Sequence, residues 1–164
     1  MAGFPKLIPA FTVHVAIEPP KAISSSLTFV PFRSTGGTIV SEPTYPIRLD
    51  AAFEHGADYI KAAPDGRHVR LDVQSTARDA ATGSFLRFSY RGKVSTTGAA
   101  GRFMRGEEGV GTTDFGEAFS IVEFEVGSPE LAALEEKVYV GSGRFIIEPG
   151  KPVVVEYKIS EVAA

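Results

Sequence analysis

The stretch His55-Gly-Ala-Asp-Tyr-Ile-Lys-Ala-Ala-Pro-Asp-Gly-Arg-His-Val-Arg-Leu-Asp-Val-Gln-Ser-Thr76 decides how the chain is read. A glycine bend leads into a short strand, Tyr59 to Ala62. Pro64-Asp65-Gly66 then turns the chain, because proline presets φ for a turn and glycine accepts the position where φ is positive. A long strand, Arg67 to Asp79, follows. It sets Val69, Leu71 and Val73 against Arg70, Asp72, Gln74, Thr76 and Arg78, an alternation with the period of a half-buried strand. The hairpin carries two carboxylates, Asp58 and Asp72, and the chemistry of the chain depends on which way they point.

Outward from the hairpin, the same period recurs. Phe11, Val13, Val15 and Ile17 alternate with Thr12, His14 and Ala16, and Pro19-Pro20 ends that strand. Leu27 to Arg33 is a second strand, with Pro31 placing it at an edge or bulge. After a Thr35-Gly36-Gly37-Thr38 bend come Ile39-Val40 and then Pro46 to Phe53. Beyond the hairpin, Thr82-Gly83 turns the chain into Phe85 to Val94. Glu117 to Val126, Val138 to Ile147 and Pro152 to Ile159 complete the set. Ser128-Pro129-Glu130 reads as a helix start of about two turns, with Leu131 and Leu134 on one face. Ser95 to Gly116 holds six glycines around Arg102-Phe103-Met104-Arg105; a loop of that length reads either as a flap or as a disordered insertion. Strands that follow one another directly predict an all-β protein, a mainly antiparallel, lipocalin-like up-and-down barrel of about eight to ten strands with one short helix. Closure also removes exposed edges. No linker or repeat divides residues 1–164, so a single barrel domain is expected.

Composition narrows the function. A net charge of −3 over 164 residues gives no electrostatic case for nucleic acid or an anionic membrane. The apolar-leaning run from Leu7 to Ile17 is too short and too polar to span a bilayer as a helix. The chain has no cysteine, which excludes thiolate chemistry and disulfides and fits a reducing, cytoplasmic setting. Gly106-Glu107-Glu108-Gly109-Val110-Gly111 lacks the Lys-Ser/Thr of a phosphate loop, Gly141-Ser142-Gly143 is no nucleophile elbow, and no dinucleotide fingerprint is present. His14, His55 and His68 show no ligand spacing, so no metal site is expected. Chemistry by acid–base transfer and positioning, without a cofactor, is what remains.

The candidates are Asp58, Asp72, His55, Tyr90 and Glu125. If Val69, Leu71 and Val73 pack inward, Asp72 is a solvated surface residue, the commoner fate of a lone Asp on a strand. If they pack outward, Asp72, Gln74 and Thr76 line the lumen, where desolvation would raise a carboxyl pKa toward neutrality. Asp58 after a glycine bend could equally cap local backbone N–H groups. Phe88 and Tyr90 share one face of their strand.

Several segments, in order, resemble a family. Thr35-Gly36-Gly37-Thr38, Gly56-Ala57-Asp58-Tyr59, Pro64-Asp65-Gly66, Leu71-Asp72-Val73, Tyr90-Arg91-Gly92, Phe124-Glu125-Val126-Gly127 and Val140-Gly141-Ser142-Gly143-Arg144 are similar to those of a family of small β-barrel proteins catalogued as a 3237-type domain of unknown function. Departures occur at His55, at Tyr59 where the family has Trp, and at Gln74-Ser75 where it has Arg-Tyr. The resemblance to fungal members, accessory proteins of polyketide and meroterpenoid pathways, implies cofactor-free cyclisation. It implies catalytic roles for Asp58 and Asp72, with Tyr90 and Arg91 positioning, and a substrate site of Tyr59, Gln74, Phe88, Phe103 and Glu125. The expected partner is a small hydrophobic aromatic substrate, with a homo-oligomer left open. A carrier of a hydrophobic ligand and a structural protein with a filled lumen are the competing readings.

Overall fold

The computed structural model describes residues 2–164. Its strands are β1 (Lys6–Ala16), β2 (Lys21–Ala22), β3 (Leu27–Pro31), β4 (Thr38–Ser41), β5 (Asp50–Ala62), β6 (His68–Asp79), β7 (Phe85–Ser95), β8 (Ala118–Val126), β9 (Tyr139–Ile146) and β10 (Val154–Ala163). They form one antiparallel sheet that closes through β5 and β6, with β1 leading to β10, β9, β8, β7 and β6 in turn. β3 and β4 run in the same direction along the two halves of β5 and share one position in the wall. The result is an eight-stranded antiparallel barrel, as the alternating pattern predicts.

The opening hairpin is larger than the sequence suggests. β5 begins at Asp50 and runs unbroken to Ala62, and Pro46 to Leu49 lies outside it. Gly66 takes the left-handed conformation, φ 70°, at the expected turn. Between Phe53 and His55 the pairing with β6 shifts by a residue, because Glu54 is extra. A bulge of this kind bends a strand and exchanges its two faces. Before it Ala51 and Phe53 are buried in the barrel; after it Gly56 is the buried residue, and Asp58 and Ile60 continue its face into the lumen.

The lumen has two halves. At one end Phe11, Phe88, Phe124 and Tyr139 pack ring against ring, with centroids 5.3–5.6 Å apart, a spacing typical of tilted and edge-on aromatic pairs. Leu131 and Leu134, both buried, close that end from a short helix over Pro129–Glu136. That helix stands where the sequence predicts one, but it is a 3₁₀ helix. Tyr45 and Tyr139 share a 2.9 Å hydrogen bond there, and Tyr45 donates to Glu161.

A second helix goes beyond the sequence expectation. α1 (Ala99–Met104) forms within the glycine-rich stretch and lies over the other end of the barrel. Glu117, just before β8, accepts the Ala100 N–H at 2.9 Å. Gly101 packs so closely on the Thr96 carbonyl that a Cβ there would sit 1.9 Å from the oxygen. The stretch is therefore an ordered cover. Among the described residues no helix is long and apolar enough to cross a membrane.

Candidate functional site

The open half of the lumen is a cavity of about 680 Å³, within the range of small-molecule sites. Its walls are mostly aliphatic: Val15, Ile17, Val30, Ile60, Val69, Leu71, Val94 and Val155. Phe103 and Met104 of α1 cover it, and the Phe103 ring packs tilted against Phe145 with centroids 4.8 Å apart. The β2–β3 hairpin, through Ala22, Ser25 and Ser26, forms the rest of the mouth.

Among the polar side chains that line this space, Asp58, Tyr90 and Tyr157 come together from the strand walls. Asp58, Val73 and Tyr90 stand in one cross-strand row of β5, β6 and β7. Tyr157 comes from β10, and its ring lies 5.0 Å from that of Tyr90, centroid to centroid. Tyr157 fits because its β9 neighbours are glycines. A Cβ at Gly143 would meet its ring at 2.6 Å, and one at Gly141 at 3.1 Å.

Burial sets the protonation of this trio. Desolvation pushes the Asp58 carboxyl up to about 7; the Asp72 backbone N–H, donated at 3.0 Å, pulls it back, and the Asp72 charge adds to the rise. Asp58 is therefore divided between acid and carboxylate at neutral pH, the condition for giving and taking protons. Burial also raises both phenols, Tyr90 with the help of Tyr157 and Asp58, and Tyr157 with the help of Asp58. Both stay neutral O–H groups.

The expected pairing of Asp58 with Asp72 does not form. Val69, Leu71 and Val73 pack inward, so Asp72 points out. It lies 3.8 Å from Arg91, itself on the outer face and 82% exposed. Gln74 and Glu125 are likewise outside, where both accept hydrogen bonds from Arg87. Tyr59 is turned outward by the bulge, 45% exposed against Phe29. Phe88 points inward but belongs to the filled half. Of the nine residues expected at the site, Asp58, Tyr90 and Phe103 line the cavity. Tyr157 is a site residue that sequence reasoning misses, although two glycines spaced by two in a strand, Gly141 and Gly143, are the signal for a large side chain crossing that backbone. No group of three or more His, Asp or Glu able to hold a metal ion occurs among the described residues.

The family profile described as "Protein of unknown function (DUF3237)" matches residues 5–162. The chain belongs to the DUF3237 family. Solved structures share its fold at low identity. A protein of unknown function from Rhodopseudomonas palustris superposes with a TM-score of 0.75 at 18% identity over 99% of both chains. A β-barrel-like protein from Acinetobacter baumannii gives 0.68 at 19% identity, over 99% of this chain and 98% of that one. A protein described as an enzyme from Penicillium herquei gives 0.61 at 14% identity, over 98% and 97%. No curated protein matches this DUF3237 chain in sequence.

Proposed function

We propose that this protein is a cofactor-independent cyclase or isomerase that works by proton transfer inside the barrel, on a largely apolar, oxygen-bearing molecule such as a prenylated phenol of a polyketide or meroterpenoid pathway. The observation that carries the proposal is Asp58, an ionisable carboxyl held near pKa 7 beside two neutral phenols in a cavity with mostly aliphatic strand walls. The likeness to a fungal protein described as an enzyme supports it.

In the reaction, the Asp58 carboxylic acid gives its proton to a carbon of the substrate alkene. The phenol oxygen of the same substrate attacks the developing cation and closes the ring. Asp58, now a carboxylate, takes the phenol proton, so acid and product appear together and no other reactant is consumed. Tyr90 and Tyr157 donate hydrogen bonds to substrate oxygens, and their ring faces and the Asp58 carboxylate stabilise positive charge. The cavity holds the two reacting ends together, which supplies a large part of the rate.

A carrier of hydrophobic ligands is the second reading, favoured by the aliphatic lining. Incubation with a panel of prenylated phenols, followed by chiral chromatography, separates the two. The enzyme gives faster ring closure and a skewed enantiomer ratio, and Asp58→Asn loses about a hundredfold or more in rate. Rates and ratios equal to those in buffer refute catalysis and leave the carrier.

A further inference from the structure

The rim of the cavity carries two cationic side chains, Lys61 and Arg70, that form no ion pair among the described residues. They stand directly opposite each other where β5 and β6 pair, an arrangement that is unfavourable for like charges. Both line a second recess at the rim, together with Asp65 and His68. Asp65 is engaged with the hairpin turn, where it accepts the Arg67 N–H at 3.0 Å. His68 lines both the recess and the main cavity, as do Ser25, Ser26 and Ala62, so the two spaces adjoin. The His68 Nε2 has no hydrogen-bond partner among the described residues. Lys61 already donates to Ser26 at 2.9 Å, which fixes its ammonium at the junction.

We propose that the molecule bound in the barrel ends in a carboxylate, with its apolar body in the main cavity and the carboxylate at the rim between Lys61 and Arg70, beside His68. This rests on the cavity being a small-molecule site, as the proposed function requires, and adds the chemical class of its ligand. The two cationic side chains line the recess that adjoins the main cavity, and a carboxylate between them turns a repulsive pair into two charge-assisted hydrogen bonds.

Decanoate and 1-decanol share a chain and differ at the end the rim would read. Their affinities are measured by displacement of a neutral, environment-sensitive dye from the full chain. Decanoate should bind at least about tenfold tighter than the alcohol, one decade being about 1.4 kcal/mol, and the preference should shrink as salt is raised. Lys61→Gln/Arg70→Gln should bring the two affinities together while leaving that of 1-decanol unchanged, and circular dichroism confirms that the variant is folded. Arg87→Gln, on the outer wall, should keep the preference. Equal affinities in the wild-type protein, or a preference that survives in the double variant, overturn the rim site and leave the catalytic reading standing. Failure of both probes to bind overturns the rim site and the cavity reading together. A carboxylate preference in a protein that closes no ring would leave the rim site intact and remove only catalysis.

Discussion

Replacing Asp58 by asparagine should make the protein more stable, and only on the alkaline side. The carboxyl is raised from its ordinary 3.8 to about 7 in the folded state. Its folded pKa lies above its unfolded one, so between these values the folded state binds more protons than the unfolded state. Stability contributed by this group therefore falls as pH rises through that window, and the full cost is present above it. At about 1.36 kcal/mol per pKa unit the cost is about 4 kcal/mol; water in the open mouth screens part of it, leaving about 2–4 kcal/mol. The amide oxygen of the introduced asparagine would still accept the Asp72 N–H, so little else is lost. Urea unfolding of both proteins between pH 4 and pH 9 tests this, because titrations common to the two cancel in the difference. The variant should match the wild type near pH 4 and exceed it by about 2–4 kcal/mol at pH 8 and above. A difference that is flat with pH would refute the placement of Asp58 in a desolvated lumen. The gain in stability and the loss of turnover together would mark a group kept for function at the expense of the fold.

Two further substitutions probe the walls around the trio. Gly143→Ala introduces a Cβ 2.6 Å from the Tyr157 ring, and overpacking of that kind costs about 1–3 kcal/mol; thermal unfolding should show it, and turnover should fall as Tyr157 is displaced. Asp72→Asn removes an exposed pair with Arg91 and should change stability by less than about 0.5 kcal/mol. Because the Asp72 charge raises Asp58 while its backbone N–H remains, the pH profile of turnover should move slightly to lower pH at an almost unchanged maximum rate; a loss of about a hundredfold would return Asp72 to the chemistry.

The fold was legible because inward and outward residues alternate along β6 and β7, and because Gly66 and Gly83 mark turns with positive φ. The cover was not. Ala99–Met104 lacks an apolar period long enough to announce a helix, and its N-terminus is capped across the chain by Glu117 rather than by a neighbour. Tyr157 was hidden for a related reason: its place is made by glycines on another strand, and only the register of β9 with β10 brings them together.

The site itself turns on one residue. Read as a regular strand, β5 from Ala51 onward would send Ala57, Tyr59 and Lys61 inward and Asp58 outward. Glu54 is extra in the pairing with β6, so the faces exchange. Asp58 enters the lumen, Tyr59 leaves it, and Lys61 reaches the rim opposite Arg70. No such bulge interrupts β6 in its pairing with β7, so Asp72 stays outside with Arg91. The two carboxylates thus occupy the two faces of one wall and meet only through a backbone N–H. The same exchange that commits a single carboxyl to the cavity also sets the cationic pair at its mouth. For the proposed ligand, Ile60 in the cavity wall and Lys61 at the rim, consecutive inward and outward positions of one strand, would read its apolar body and its anionic end.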